Sequence, residues 1–209
     1  MAQVPGSKED LPIVAFDFDG TMTVRDSFSA FLRWRTPTWR WLLGGLRLIP
    51  AGAAYFLVHR DRGRIKADAA TIYLGGVSRA QLEADAARFA ELYAPSLLRP
   101  DAVAAFRRWS EQGVRRVIVT ASPEIVVAPF AHGLGADDLI GTLFVFDTDD
   151  RLTGAFDGPN CRGPEKVVRL RAAYGPNLRV QAAYGDTGGD TEMLAIAEEP
   201  YYRVFTDTP

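Results

Sequence analysis

Residues 11–15 read Leu-Pro-Ile-Val-Ala and run straight into Phe16-Asp-Phe-Asp-Gly-Thr21. An apolar run of strand length that ends in two carboxylates two residues apart restricts the fold more than any other feature of the chain. In an extended strand, residues i and i+2 point to the same face. Asp17 and Asp19 are therefore expected side by side, where their charges repel until a cation or a proton settles the conflict. Such a pair builds a poor core and a good phosphoryl-transfer site. A calcium loop would need further acids at fixed spacing and a closing Glu. Here Met22 follows Thr21 and no such Glu arrives.

The same pattern returns downstream. Gly185-Asp-Thr-Gly-Gly-Asp190 follows the strand-like run Val180 to Tyr184, and Val117-Ile-Val-Thr120-Ala-Ser122 is an apolar run that ends in hydroxyls. Lys166 opens a helical stretch between them. An acid pair, a hydroxyl, a lysine and a second acid pair are each placed just past a predicted strand or at the helix after it. Open α/β sheets bind their ligands there. Ser122, directly before Pro123, reads as a cap for the following helix.

In this order the chain resembles the haloacid dehalogenase-like phosphatases, with a match running from Ile13 to Phe205. The resemblance implies that Asp17 attacks phosphorus and that Asp19 serves as general acid and then base. It implies that Thr21, Thr120 and Lys166 hold the phosphate oxygens. It also implies Mg2+ on Asp17, Asp186 and the main-chain carbonyl of Asp19, with Asp190 orienting that shell.

The periodicity gives a strand at 13–16, then helical patterns over 28–34, 39–58 and 66–74. A helix at 78–93 carries a Ser78/Gln81 capping box, and one at 101–112 is stopped by Gly113. A strand at 114–120 and a helix over 123–131 follow. Strands 139–146 and 152–156 are joined by the turn at 147–150. A helix at 164–174, a strand at 178–184, a helix at 191–197 and a strand at 202–205 complete the chain. This alternation predicts an α/β fold: a doubly wound, mainly parallel Rossmann-like sheet. Its catalytic core is expected at 11–24 and 96–209, with an inserted α-helical cap at 25–95.

Composition sharpens two points. From Arg25 to Lys66 there are nine Lys or Arg against only Asp26 and Asp61, although the whole chain carries a net charge of −2. A basic insert thus sits on an acidic body, which either draws an anionic partner or merely solubilises an apolar segment. Cys161 is the sole cysteine, so no internal disulfide forms and a reducing compartment suits the chain. The polar N-terminus is no secretory signal, and the location expected is cytoplasmic, with a peripheral contact on the inner membrane face. His59 and His132 have no spacing that suggests a metal centre.

The substrate is read from the insert. Phosphoserine phosphatases, a branch of the resembling family, place a Glu nine residues after the nucleophile to read the substrate amine; here that position is Asp26. Trp41 to Val58 holds one charge, Arg47, in 18 residues, and Trp34, Trp39 and several arginines flank it. As one helix it would span about 27 Å; Pro50 and the glycines predict two short helices instead. They would form either a lid on the core or a hairpin in the membrane interface. Asp26-Ser-Phe-Ser-Ala-Phe-Leu-Arg33 and Asn160-Cys-Arg-Gly-Pro-Glu-Lys166 also resemble the bacterial phosphatidylglycerophosphatase C group. The expected substrate is a lipid-linked or amphiphilic phosphate, with a small soluble phosphate as the alternative; a phosphate-binding regulatory protein without turnover is a third reading, against which the intact Asp17 and Asp19 pair speaks. Nucleic acid is not expected, because the basic residues are mixed with a long apolar run.

Overall fold

The computed structural model describes residues 12–54 and 62–209, the side chains of 49–54 and 62 excepted. The expected helix end near Val58, together with His59 and Arg60, lies outside the described residues.

Five strands form one parallel sheet in the order β3-β2-β1-β6-β7: β1 (Ile13–Phe16), β2 (Arg115–Pro123), β3 (Asp138–Thr142), β6 (Val180–Gly185) and β7 (Ala197–Tyr202). β1 is central and every residue in it is buried, as a parallel strand covered on both faces requires. Side chains alternate across it. Ile13 and Ala15 join Val117, Val119, Leu170 of α7 (Pro164–Tyr174) and Met193 of α8 (Thr191–Ala195). Val14 and Phe16 join Phe106 and Trp109 of α5 (Pro100–Glu111) and Phe130 of α6 (Glu124–Leu134). The chain leaves β1 toward β2 on one side and meets β6 on the other, so the switch in strand order falls at the end of β1. This is the doubly wound, parallel arrangement expected from the alternating pattern.

Among the described residues, four helices lie between β1 and α5: α1 (Ser27–Arg35), α2 (Thr38–Ala54), α3 (Arg62–Leu74) and α4 (Arg79–Leu97). The segments entering and leaving them are bound together. Val24 N donates to Leu97 O at 2.9 Å, and Arg99 N donates to Met22 O at 2.8 Å. Above that neck the helices share one apolar cluster with the sheet. Phe18 packs on Phe130, Phe130 on Phe89 of α4, and Phe89 on Phe31 of α1, with ring centroids 5.5–5.9 Å apart.

Three elements depart from the sequence reading. α2 is a single helix through Pro50 as far as Ala54, not two helices broken there. It packs on α3 through Trp41, stacked 4.8 Å from Tyr73, and through Gly44, where a Cβ would collide with the Tyr73 ring. The single strand expected over 139–146 is two. β3 ends at Thr142, and β4 (Phe144–Phe146) pairs antiparallel with β5 (Leu152–Phe156) in a separate hairpin. The Thr142 hydroxyl contacts Ala121 O at 3.1 Å and Asn160 Oδ1 at 2.9 Å, and accepts from Cys161 N at 3.0 Å; these ties hold the end of β3 in the sheet. The last strand is Ala197–Tyr202 rather than 202–205. Its Glu-Glu-Pro content looks unlike a strand but suits an edge, where Pro costs no ladder bond and charge discourages further pairing.

Candidate active site

β1 ends at Phe16, and Asp17 N still donates to Tyr184 O at 2.9 Å, which fixes Asp17 between the carboxyl ends of β1 and β6. A tight turn, Phe18–Met22, follows. Gly20 within it has φ of 88°, and a Cβ there would run into the Asp186 carboxylate. Only glycine meets both demands at once.

Lys166 projects from the first turn of α7 and is 1% exposed. Its Nζ donates to Asp17 Oδ1 at 2.5 Å, Asp190 Oδ1 at 2.7 Å and Val119 O at 2.7 Å. All three ammonium protons are used. Burial works against the charged lysine, but the two carboxylates outweigh it and hold its pKa above the ordinary value. Asp17 responds the other way. Its burial dominates the pull of Lys166 and lifts its pKa to about 7. Asp190 stays below the usual range: burial opposes its charge, but Lys166 and the amides of Thr187 and Asp186 prevail. Its second oxygen accepts from Thr187 N at 2.9 Å and Asp186 N at 3.2 Å. Asp190 thus orients Lys166 and the Gly185–Asp190 loop together.

Ligand oxygens of Asp17, Asp186 and Asp190 lie within 4.8 Å of one another. The Thr21 hydroxyl reaches Asp17 Oδ2 at 3.1 Å and Asp186 Oδ1 at 3.2 Å. Asp186 is half-buried, and its pKa is raised by burial and then by Asp190. Crowded, partly desolvated carboxylates of this kind suit a hard divalent cation. The Asp19 side chain is not in that cluster.

Asp19 turns toward the helices instead. Ser27 N donates to its Oδ1 at 2.7 Å, and the Ser122 hydroxyl donates to its Oδ2. Burial, then the nearby Asp26, raises its pKa, while Lys66 and Ser122 pull against them. Ser122 is therefore no helix cap: α6 starts after Pro123 without a side-chain cap, and the buried Ser122 hydroxyl is spent on Asp19. Thr120, fully buried, accepts from Ser122 N at 3.0 Å, so it braces the same loop.

Asp26 caps α1, accepting from Ser29 N at 2.7 Å, and pairs with Lys66 at 3.1 Å. Burial opposes its charge, but Lys66 and the Ser29 amide keep its pKa low. Lys66 Nζ also donates to Ser122 Oγ at 3.1 Å. Asp17, Asp19, Asp26, Lys66, Asn160, Arg162, Lys166 and Asp190 surround one cavity of about 130 Å³. Lys66 and Arg162 escaped the sequence reading. Lys66 sits in Arg-Gly-Arg-Ile-Lys-Ala-Asp, where charges of both signs hide its role. The signal for Arg162 was its place four residues before Lys166.

The chain matches the haloacid dehalogenase-like hydrolase family over residues 14–195. It is 59% identical to protein CicA of Caulobacter vibrioides (strain NA1000 / CB15N) across 94% of this chain and 88% of that one. Among solved structures it is similar to a protein of unknown function from Bordetella pertussis Tohama I, with a TM-score of 0.68 and 25% identity, covering 88% and 86% of the two chains. A phospho-aspartyl intermediate analogue of phosphoserine phosphatase shares the fold at a TM-score of 0.59 and 19% identity, covering 90% and 83%. These matches do not support the likeness to phosphatidylglycerophosphatase C.

Proposed function

This chain belongs to the haloacid dehalogenase-like hydrolases, and we propose that within them it is a phosphomonoesterase that works through an aspartyl phosphate. The observation that carries this reading is the contrast between two neighbouring carboxylates. Burial raises the pKa of both, but their partners differ: Asp17 is bound by Lys166 and Thr21 at the sheet end, while Asp19 is held out of that cluster by Ser27 and Ser122. Such a split assigns a nucleophile and an acid.

An Asp17 oxygen attacks phosphorus, and the bond from phosphorus to the leaving oxygen breaks. Protonated Asp19 gives its proton to the departing alkoxide. Asp19, now ionised, takes a proton from water; the resulting hydroxide attacks phosphorus, and Asp17 is released with inorganic phosphate. Lys166 offsets charge on the transferring oxygens, with the Thr21 and Thr120 hydroxyls as further donors. Asp17, Asp186 and the Asp19 carbonyl would hold Mg2+, which would neutralise phosphate charge. Asp190 keeps Lys166 and the loop in place. Residues 11–24 and 96–209 form the catalytic core in this reading, and 25–95 the cap.

For the substrate, the reading favoured is a lipid-linked or amphiphilic phosphate. It is supported by the exposed apolar side of α2 and by Lys66 and Arg162, two further cations at the cavity that suit a second anionic group. The Asp26–Lys66 pair supports a second reading. An acid beside a base matches the amine and carboxylate of a small zwitterion, as in the phosphoserine phosphatases whose fold this chain shares.

Phosphate release with Mg2+ tests both, comparing phosphatidylglycerol phosphate in mixed micelles with phosphoserine and glycerol phosphate. Asp17→Asn should be inactive with the fold retained; full activity in that variant would end the mechanism. Preference for the micellar substrate supports the lipid reading, and equal or better turnover of the small phosphates moves the assignment to the soluble one.

A further inference from the structure

We infer that the outer face of α2 docks on an anionic phospholipid bilayer; this deepens the lipid-linked reading of the site and rests on it. α2 has two apolar faces, and among the described residues only one has a partner. Trp41, Gly44 and Leu48 turn inward, toward Tyr73 and the main cluster. Trp39, Leu42, Leu43 and Leu46 follow the i, i+3, i+4, i+7 spacing of a single stripe. They are 64%, 63%, 54% and 62% exposed. The other large exposed apolar residues, such as Leu92, Val168 and Tyr202, are spread over separate elements. Scattered exposure is ordinary, whereas a contiguous stripe marks an interaction surface.

Charge selects the occupant. Arg40 and Arg47 are exposed and seven residues apart, so they line one edge of the stripe. Neither has a carboxylate within ion-pair distance among the described residues. From Ser27 to Arg60 the sequence contains no Asp or Glu, and it contains five arginines. An apolar stripe with arginine along its edge and Trp at its start fits a helix lying in the plane of a headgroup layer. A second copy of the chain fits less well, because a two-fold contact would set the same arginines against each other with no acid to pair them. Among the described residues no helix is long and apolar enough to cross a membrane. α3 links this face to the site: Tyr73 holds α2 from one end of the helix and Lys66 enters the cavity two turns earlier.

Flotation of the full chain with phosphatidylcholine vesicles and with phosphatidylcholine–phosphatidylglycerol vesicles tests the inference. Recovery is expected with the anionic vesicles and little with the neutral ones. Leu42→Glu with Leu46→Glu should abolish it; both positions are exposed, so the fold should survive. Arg40→Gln with Arg47→Gln should weaken partitioning about 30-fold, from about 1 kcal/mol per arginine near an anionic surface. No recovery with either vesicle, or equal recovery with both, overturns the inference. So does self-association in sedimentation equilibrium that the Leu42→Glu/Leu46→Glu variant abolishes while vesicle binding is absent. Turnover of p-nitrophenyl phosphate reads the catalytic site separately. It should be the same in both double variants, and its absence in a chain that still floats would count against the phosphatase reading while leaving the docking supported.

Discussion

Two lysines face the same cavity, and they are held in opposite ways. Lys166 comes from the core, is 1% exposed, and spends all three protons on two carboxylates and a carbonyl. Lys66 comes from α3, its side chain is 19% exposed, and it holds one carboxylate and one hydroxyl. The first arrangement is a finished piece of electrostatics that cannot move without stranding buried charge. The second is partly solvated, and its contacts can be exchanged for those of an incoming group. In the phosphatase reading proposed above, the core side of the cavity carries the reaction and the helical side chooses what reaches it.

The largest expected effect lies on the core side. Lys166→Met leaves Asp17 and Asp190 facing each other in a buried site. Breaking a buried pair in this way costs about 3–5 kcal/mol, and phosphatase activity should fall roughly 10²–10³-fold. Urea unfolding and phosphate release would read the two losses. Normal stability would mean that the cluster is far wetter than its burial indicates.

Ser122→Ala tests the boundary between the sides. It removes one of the two donors on Asp19 and leaves Asp17 and Lys166 alone. kcat should fall roughly 10–100-fold, part of the ~10²–10⁴-fold credited to a positioned general acid, because Ser27 still holds Asp19. KM should hold, and the loss should be greatest for substrates with poor leaving groups, which need the proton most. An equal loss for p-nitrophenyl phosphate and alkyl phosphates would remove Ser122 from the acid step.

The smallest effect is expected from Lys66→Gln. Stability should change by less than about 1 kcal/mol, as for a partly exposed ion pair. KM should rise and kcat stay close to wild type. A collapse of kcat with KM unchanged would place Lys66 on the reaction side and erase the distinction between the two lysines.

The core side was also the legible side. Asp17, Asp19, Thr120, Lys166, Asp186 and Asp190 each follow an apolar run or open a helix, so local pattern exposes them. Ser122 was misread because a hydroxyl before Pro-Glu looks like a helix cap, and nothing local shows that Asp19, 103 residues away, claims it. Lys66 was invisible because its partners come from α1 and β2. The run from Leu139 to Phe146 gave no sign that it divides between two sheets, since the ties that end β3 come from Ala121, Asn160 and Cys161. α2 was expected to break at Pro50; packing against α3 outweighs the hydrogen bond that the proline cannot make.

The aromatic chain from Phe18 through Phe130 and Phe89 to Phe31 has a consequence for how this molecule folds. It places the turn after β1, the core helix α6 and two inserted helices in one apolar cluster, so among the described residues the insert has no core separate from that of the sheet. Sheet and insert are therefore expected to melt as a single cooperative unit. An exchange of the insert between relatives would have to carry the surface of α6 around Phe130 along with it.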